Sequence, residues 1–458
     1  MFSLRSHARW ALPLTLGLTA LGVAVPPASA TKTAAPVRDD FNGDGYADLV
    51  VGAPHGTVGG QAGAGYLTVM YGGPHGLSTG HRSIISRAGT GVPGSPAKGE
   101  GFGFRFSEGD LDGDGYADLV IPGSGGHRGS VVLWGGPHGL SRGTSVPDAF
   151  STQIGDFDGD GRLDLALFRT DSGHGGGDDP FGTEATVWSG PVKRTGVPAA
   201  TKPLDVDPLP YIDVRDGTTG DLNGDGRDDL ALTAYCGDGV NCTEVFLSTP
   251  SGFARGVSFH GDGAVAIGDV NGDGHADLVT GRAEEEEIWV AYGSAAGLGA
   301  PATWKSYTQD TPGVPGTKES PDMFGRSVAV GDITGDGIDD VVVGVPGEKK
   351  FEGAVDVLRG SRSGLTGTGA QAFGQDTRGV PGTGEYNDIF GYTVALADIN
   401  HNGHADLAVA APGEDAGNGA VTVLRGRSTG LVTDAALAFG GKAVGAPYTK
   451  ASFGSALK

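Results

Sequence analysis

Seven short segments of this chain bring oxygen-bearing side chains together at a fixed spacing. They read DFNGDGYAD, DLDGDGYAD, DFDGDGRLD, DLNGDGRDD, DVNGDGHAD, DITGDGIDD and DINHNGHAD. Positions 1, 3, 5 and 9 are Asp40, Asn42, Asp44 and Asp48 in the first, then Asp110, Asp112, Asp114 and Asp118 in the second. The third has Asp156, Asp158, Asp160 and Asp164, and the fourth Asp221, Asn223, Asp225 and Asp229. The last three have Asp269, Asn271, Asp273 and Asp277; Asp332, Thr334, Asp336 and Asp340; and Asp398, Asn400, Asn402 and Asp406. At position 7, Tyr46, Tyr116, Arg162, Arg227, His275, Ile338 and His404 are placed to offer a backbone carbonyl. Such alternation wraps a chain around a hard cation that needs six to eight oxygens, and Gly at position 6 permits the sharp turn. Calcium is the expected ion, because magnesium prefers few carboxylates and retains its water. Six loops are expected to bind it, while the seventh carries His401 and Asn402 where the others have Gly and Asp.

One copy of this pattern would be an ordinary Asp-Gly turn; seven copies, each with Asp at position 9, are a built feature. An EF-hand would place a bidentate Glu at position 12, on a helix. Here that position is Val51, Ile121, Leu167, Leu232, Thr280, Val343 or Val409, inside short apolar runs, so the loops lead into strands.

Other candidate chemistry is weaker. Gly76-Leu77-Ser78-Thr79-Gly80 and Gly139-Leu140-Ser141-Arg142-Gly143 match the nucleophile-elbow string, but both fall at the same turn of successive repeats and neither joins a strand to a helix. The 11 His residues show no metal-binding spacing. The run Glu284-Glu285-Glu286-Glu287 reads as a solvated hairpin tip. No residue set supports an enzyme, and a non-catalytic chain is expected. Cys236 and Cys242 enclose five residues without metal-ligand spacing and are expected to form a disulfide.

The elements that hold the loops repeat with them. Loop starts are 46 to 70 residues apart. Between them lie a β run such as Tyr66–Tyr71, Ser130–Trp134, Ala354–Leu358 or Ala420–Leu424, a Gly-Leu or Gly-Phe turn, and a Phe-Gly pair expected to open a further strand at Phe102, Phe324 and Phe390. Four short strands per repeat, seven times over, describe an all-β, seven-bladed propeller. The first loop has no Phe-Gly before it, and Phe453-Gly454 has no loop after it. Pairing those two halves into one blade would close the ring and hide its edges.

Composition agrees. A chain of 458 residues exceeds what one ordinary core organises, so repeats are the natural solution. With 86 Gly and 26 Pro, long helices are disfavoured. Arg5 and Arg9, an apolar stretch from Trp10 to Val25 and Ala28-Ser29-Ala30 describe a secretory signal over 1–30, followed by a lead-in over 31–39 and the propeller over 40–458. No later stretch is apolar enough for a membrane span, and the net charge of −23 argues against nucleic acid. A secreted, extracellular monomer is expected, free or held at a cell surface.

These residues carry a family resemblance. The Phe-Gly pairs, the acidic loops, Gly52-Ala53-Pro54 and the near matches Val345-Pro346-Gly347 and Ala411-Pro412-Gly413 resemble the FG-GAP (VCBS-type) repeats of the integrin α-subunit head. The segments Gln309–Gly316 and Gln375–Gly382 are most similar to secreted actinobacterial members. The resemblance spans 40–458, although repeats three to five lack a clear Phe-Gly. It implies a seven-bladed propeller with calcium in the loop joining the first two strands of a blade. Two functions fit: a calcium-stabilised binding or adhesion module for an extracellular protein or glycan, or a propeller enzyme acting on polysaccharide through axial carboxylates. An axial pocket with converging acids would favour the second, and a broad face of exposed aromatics the first.

Overall fold

The computed structural model describes residues 39–123, 129–170, 178–261 and 263–458. The expected export signal and all of the lead-in but Asp39 lie outside the described residues. What is described is seven four-stranded antiparallel sheets. Their inner strands are Ala456–Leu457, Ser107–Gly109, Ser151–Gly155, Asp213–Gly220, Val265–Gly268, Val328–Gly331 and Thr393–Ala397, in blades one to seven.

Each second strand is an apolar run because both of its faces are covered. Successive side chains of a strand point to opposite faces, so alternate residues enter different blade interfaces. In blade one, Leu49, Val51 and Ala53 pack toward blade seven, whereas Val50 packs toward blade two. In blade six, Val341, Val343 and Val345 face blade five, and Val342 faces blade seven. Seven buried clusters result, one per interface, and the core is a ring rather than a ball. At roughly 1.5–3 kcal/mol for each fully buried aliphatic side chain, these layers are the main stabilising term.

The ring closes as expected. Val51 lies opposite Leu457 and Gly52 opposite Ala456, while Val50 and Lys458 exchange main-chain hydrogen bonds of 2.7 and 3.2 Å. Phe453 is completely buried.

The Phe-Gly pairs differ from expectation: they form turns before the inner strands and are not part of them. Gly103, Gly325, Gly391 and Gly454 have φ of +85°, +96°, +90° and +96°, a conformation that costs Gly least. The preceding Phe102, Phe324, Phe390 and Phe453 fill the interfaces. The glycine of Gly52-Ala53-Pro54 has a matching purpose. A Cβ there would fall 2.2 Å from the Gly103 carbonyl oxygen, so only Gly lets main chain meet main chain across this interface.

Cys236 and Cys242 are bonded, with Cα atoms 6.0 Å apart, and close the hairpin between Asp229–Tyr235 and Asn241–Thr249 in blade four. Among the described residues, no helix is long and apolar enough to cross a membrane.

Candidate functional site

Six of the acidic loops connect the inner strand of a blade to its second strand, and the first leads into the second strand of blade one, whose inner strand is Ala456–Leu457; all seven therefore emerge on one face. Their fold follows from the position-1 Asp. In the first loop Asp40 accepts hydrogen bonds from the main-chain N–H groups of Gly43, Asp44 and Gly45, at 2.6, 3.2 and 2.8 Å. The same three bonds recur through the sixth loop, where Gly335, Asp336 and Gly337 donate to Asp332. Position 5 accepts from the position-7 N–H, as Asp44 does from Tyr46 at 3.1 Å. A need invisible in the spacing argument lies at position 4, where Gly43 and its counterparts have φ of +68° to +76°. In the seventh loop His401 is held there at +53°, and only Asn402 and Gly403 donate to the Asp398 carboxylate.

Position 9 is the most constrained. Asp48 accepts from Phe41 N–H at 3.0 Å and from Gly72 N–H, just beyond the third strand, at 2.9 Å. Asp118, Asp164, Asp229 and Asp277 repeat both bonds. Asp340 accepts from Gly360 N–H and from Arg359, whereas Asp406 accepts from Gly426 N–H and the Asn400 amide. Each of these carboxylates is buried, and burial raises its pKa against those hydrogen bonds. It reaches about 8 for Asp48 and Asp118, about 7 for Asp229 and Asp277, and about 6 for Asp164, Asp340 and Asp406. A cation beside them would favour the charged form.

The donor set suits a hard cation. Asp110, Asp112 and Asp118 each place a carboxylate oxygen within 4.8 Å of the others', as do Asp156, Asp158 and Asp164. In the other loops position 3 is Asn or Thr, an oxygen donor without charge. Arg194, 80 residues from Asp114 in sequence, lies across the second loop, its Nε and Nη2 each 2.5 Å from oxygens of Asp112 and Asp114. Nothing in the loop sequence pointed to it. The loops are also linked to one another: in the second and in the fourth to seventh, position 8 donates its N–H to the position-1 carbonyl of the preceding blade, as Ala117 does to Asp40 and Asp339 to Asp269, both at 2.9 Å.

The opposite face carries different chemistry. Phe104, Phe181, Tyr211, Tyr386 and Tyr448 are exposed by 38–76%, and all five lie on connections at the end away from the acidic loops. Along the axis runs a cavity of about 530 Å³, lined by inner strands of six blades. At its acidic-loop end Glu108 is raised well above the usual carboxylate range, first by burial and then by Asp39.

Two sequence readings are corrected or narrowed. Glu286 is not solvated: it is 4% exposed and its carboxylate accepts Phe324 N–H at 2.7 Å, tying blade five to blade six. Gly76–Gly80 is a turn between strands, and Ser141 starts an exposed outer strand, so neither is a nucleophile elbow.

The repeat geometry defines a propeller of FG-GAP type, and comparison with known proteins agrees. The FG-GAP repeat matches residues 34–70, 263–290, 324–358 and 390–424, and the FG-GAP-like repeat matches 109–167. Integrin alpha pat-2 of Caenorhabditis briggsae is 30% identical over 257 residues, covering 51% of this chain and 20% of that protein. Integrin alpha-IIb of Mus musculus is 34% identical over 172 residues, 37% of this chain and 16% of that protein. Phosphatidylinositol-glycan-specific phospholipase D of Bos taurus is 30% identical over 163 residues, 32% of this chain and 18% of that protein. The matches thus span about a fifth or less of these relatives' length. The chain is an integrin-alpha-like FG-GAP β-propeller.

Proposed function

We propose that this chain is a secreted, calcium-binding propeller that acts as a non-catalytic binding or adhesion module for an extracellular protein or glycan. Residues 1–30 are the removable export signal, 31–39 a lead-in and 40–458 the working domain, a monomer without affinity for nucleic acid. The observation that carries the reading is the gathering of five exposed aromatic side chains on one face, since exposed apolar side chains collected on one surface mark interaction sites. The integrin relatives support it.

Calcium belongs to the other face. Positions 1, 3, 5 and 9 and the position-7 carbonyl of the first six loops would hold it, and the ion would neutralise carboxylates that otherwise repel one another. Extracellular sites bind at ~0.1–1 mM, so at about 1 mM calcium six sites together add roughly 2–9 kcal/mol. Thermal unfolding with and without excess chelator checks this: the melting temperature should fall markedly on chelation, and Asp114→Ala should weaken the calcium effect more than Asn402→Ala. Coincident transitions would end the calcium reading. For the binding face, purified protein applied to glycan arrays and to cells should lose its signal in the Tyr386→Ala/Tyr448→Ala double variant, and the absence of any ligand would count against a binding module.

One observation favours the second reading, a polysaccharide hydrolase or lyase. Glu108 lies beside Asp39 in the axial cavity, its pKa raised first by burial and then by Asp39, and raised carboxyl pKa values recur at catalytic sites. Release of reducing ends from polysaccharide by the wild type but not by Glu108→Gln would establish it.

A further inference from the structure

The axial cavity is not uniform along its length. Its inner strands run from the aromatic face toward the acidic loops, so residues just before a strand line the mouth and residues at its end line the floor. The floor is acidic, with Asp39 and Glu108 beside Lys458. The mouth is cationic in a chain whose net charge is −23. Arg105 and Arg326 enter it two residues ahead of the inner strands of blades two and six.

Both guanidiniums are mounted on aromatic rings. Arg105 lies 4.6 Å from the Phe104 ring centre and 4.7 Å from that of Phe150, and Arg326 lies 4.4 Å from that of Tyr392. Stacking uses the flat faces and leaves the edge N–H groups, whose fork matches a carboxylate, directed elsewhere. Arg105 has one distant ion-pair partner, Asp216 at 3.8 Å, and Arg326 has none among the described residues. Arg215 adds positive charge near Arg105. Rigid guanidiniums at the mouth of a low-dielectric cup concentrate an anion there.

From this we infer that the mouth is a binding site for a carboxylate-bearing sugar, a uronate, seated with its carboxylate between Arg105 and Arg326 and its hydroxyls toward Asp216, Thr218 and Thr233. The volume of about 530 Å³ suits a small ligand or the end of a chain. The inference rests on the chain being a binding module and specifies one ligand class for it.

Titration calorimetry of the full propeller in millimolar calcium tests it, with D-glucuronate, its neutral methyl ester, a glucuronate-terminated oligosaccharide and an acidic peptide as probes. Glucuronate should bind at least tenfold more tightly than the ester. Arg326→Gln and Arg105→Gln should each weaken it tenfold or more while thermal unfolding stays within a few degrees. If only the oligosaccharide binds, and does so in an Arg326-dependent way, the uronate is a glycan terminus and the site stands. Equal binding of acid and ester, no binding of either glucuronate or the oligosaccharide, binding of the peptide alone, or indifference to both Arg variants would overturn it. Glycan-array binding that needs Tyr386 and Tyr448 but not Arg326 would overturn this site and leave the binding module standing.

Discussion

Blades seven and four reach the same shape with different residues. Before blade seven, Phe390 fills the interface and Gly353 of blade six approaches it so closely that a Cβ would lie 2.2 Å from the Phe390 carbonyl oxygen. Before blade four there is no Phe-Gly. A short 3-10 turn, Leu209–Tyr211, stands there, with Leu209 and Ile212 buried against Phe168, Leu230 and Leu232. Gly182 of blade three approaches it as Gly353 does: a Cβ there would lie 2.4 Å from the Pro210 carbonyl oxygen. The interface therefore demands a buried apolar plug and a close main-chain approach, and the identity of the plug is free. Blade four also has longer strands of seven to nine residues and the disulfide, whereas the strands of blade seven are five to nine residues long and carry no covalent tie. Residues 168–262, which include blade four, lie outside every repeat match.

The comparison can be broken most severely at the seam. Deleting 453–458 removes the Phe453 plug and the inner strand of blade one, and the exposed strand edge should drive aggregation visible by light scattering. A soluble monomer from that truncation would mean that the seam, unlike the other interfaces, is dispensable. Next, Phe390→Ala should cost about 3–5 kcal/mol and Leu209→Ala about 2–5 kcal/mol by chemical denaturation, because each leaves a cavity in one interface. A negligible effect at Leu209 would show that blade four is held by something other than its plug.

Asp356 offers a smaller test. It occupies the third-strand position that is Thr68 in blade one and Thr422 in blade seven, all three buried. Burial raises its pKa to about 7, offset by the Gln309 amide and reinforced by Glu348. The folded state thus keeps a proton that the unfolded chain releases near pH 4, so this group costs no stability below about pH 4 and an increasing amount as pH rises to 7. Asp356→Thr should stabilise the protein by on the order of 1–4 kcal/mol at pH 8 and by little at pH 4. Parallel stability curves for variant and wild type would refute the assignment. Smallest of all, Cys236→Ser/Cys242→Ser should cost roughly 2 kcal/mol, with increased hydrogen exchange confined to the blade-four hairpin.

Much of this was legible from side-chain types alone. Seven acidic loops, the strands they lead into and the pairing of the Phe453 segment with the first blade could be read because each depends on local pattern or on counting repeats. The Phe-Gly pairs were visible but misread as strand, since a buried Phe looks the same in a strand and in a turn before one. Blade four's plug was hidden because Leu209 and Ile212 have no motif. Arg194 on Asp112 and Asp114, Glu286 beneath Phe324, and the mouth formed by Arg105 and Arg326 come from residues tens to hundreds of positions apart. Local sequence determined the repeat and its loops, because a turn and a two-residue alternation are decided within a few residues. Only the closed ring decided the axis and its two unlike ends, because side chains from six blades meet there at positions no neighbouring residue specifies.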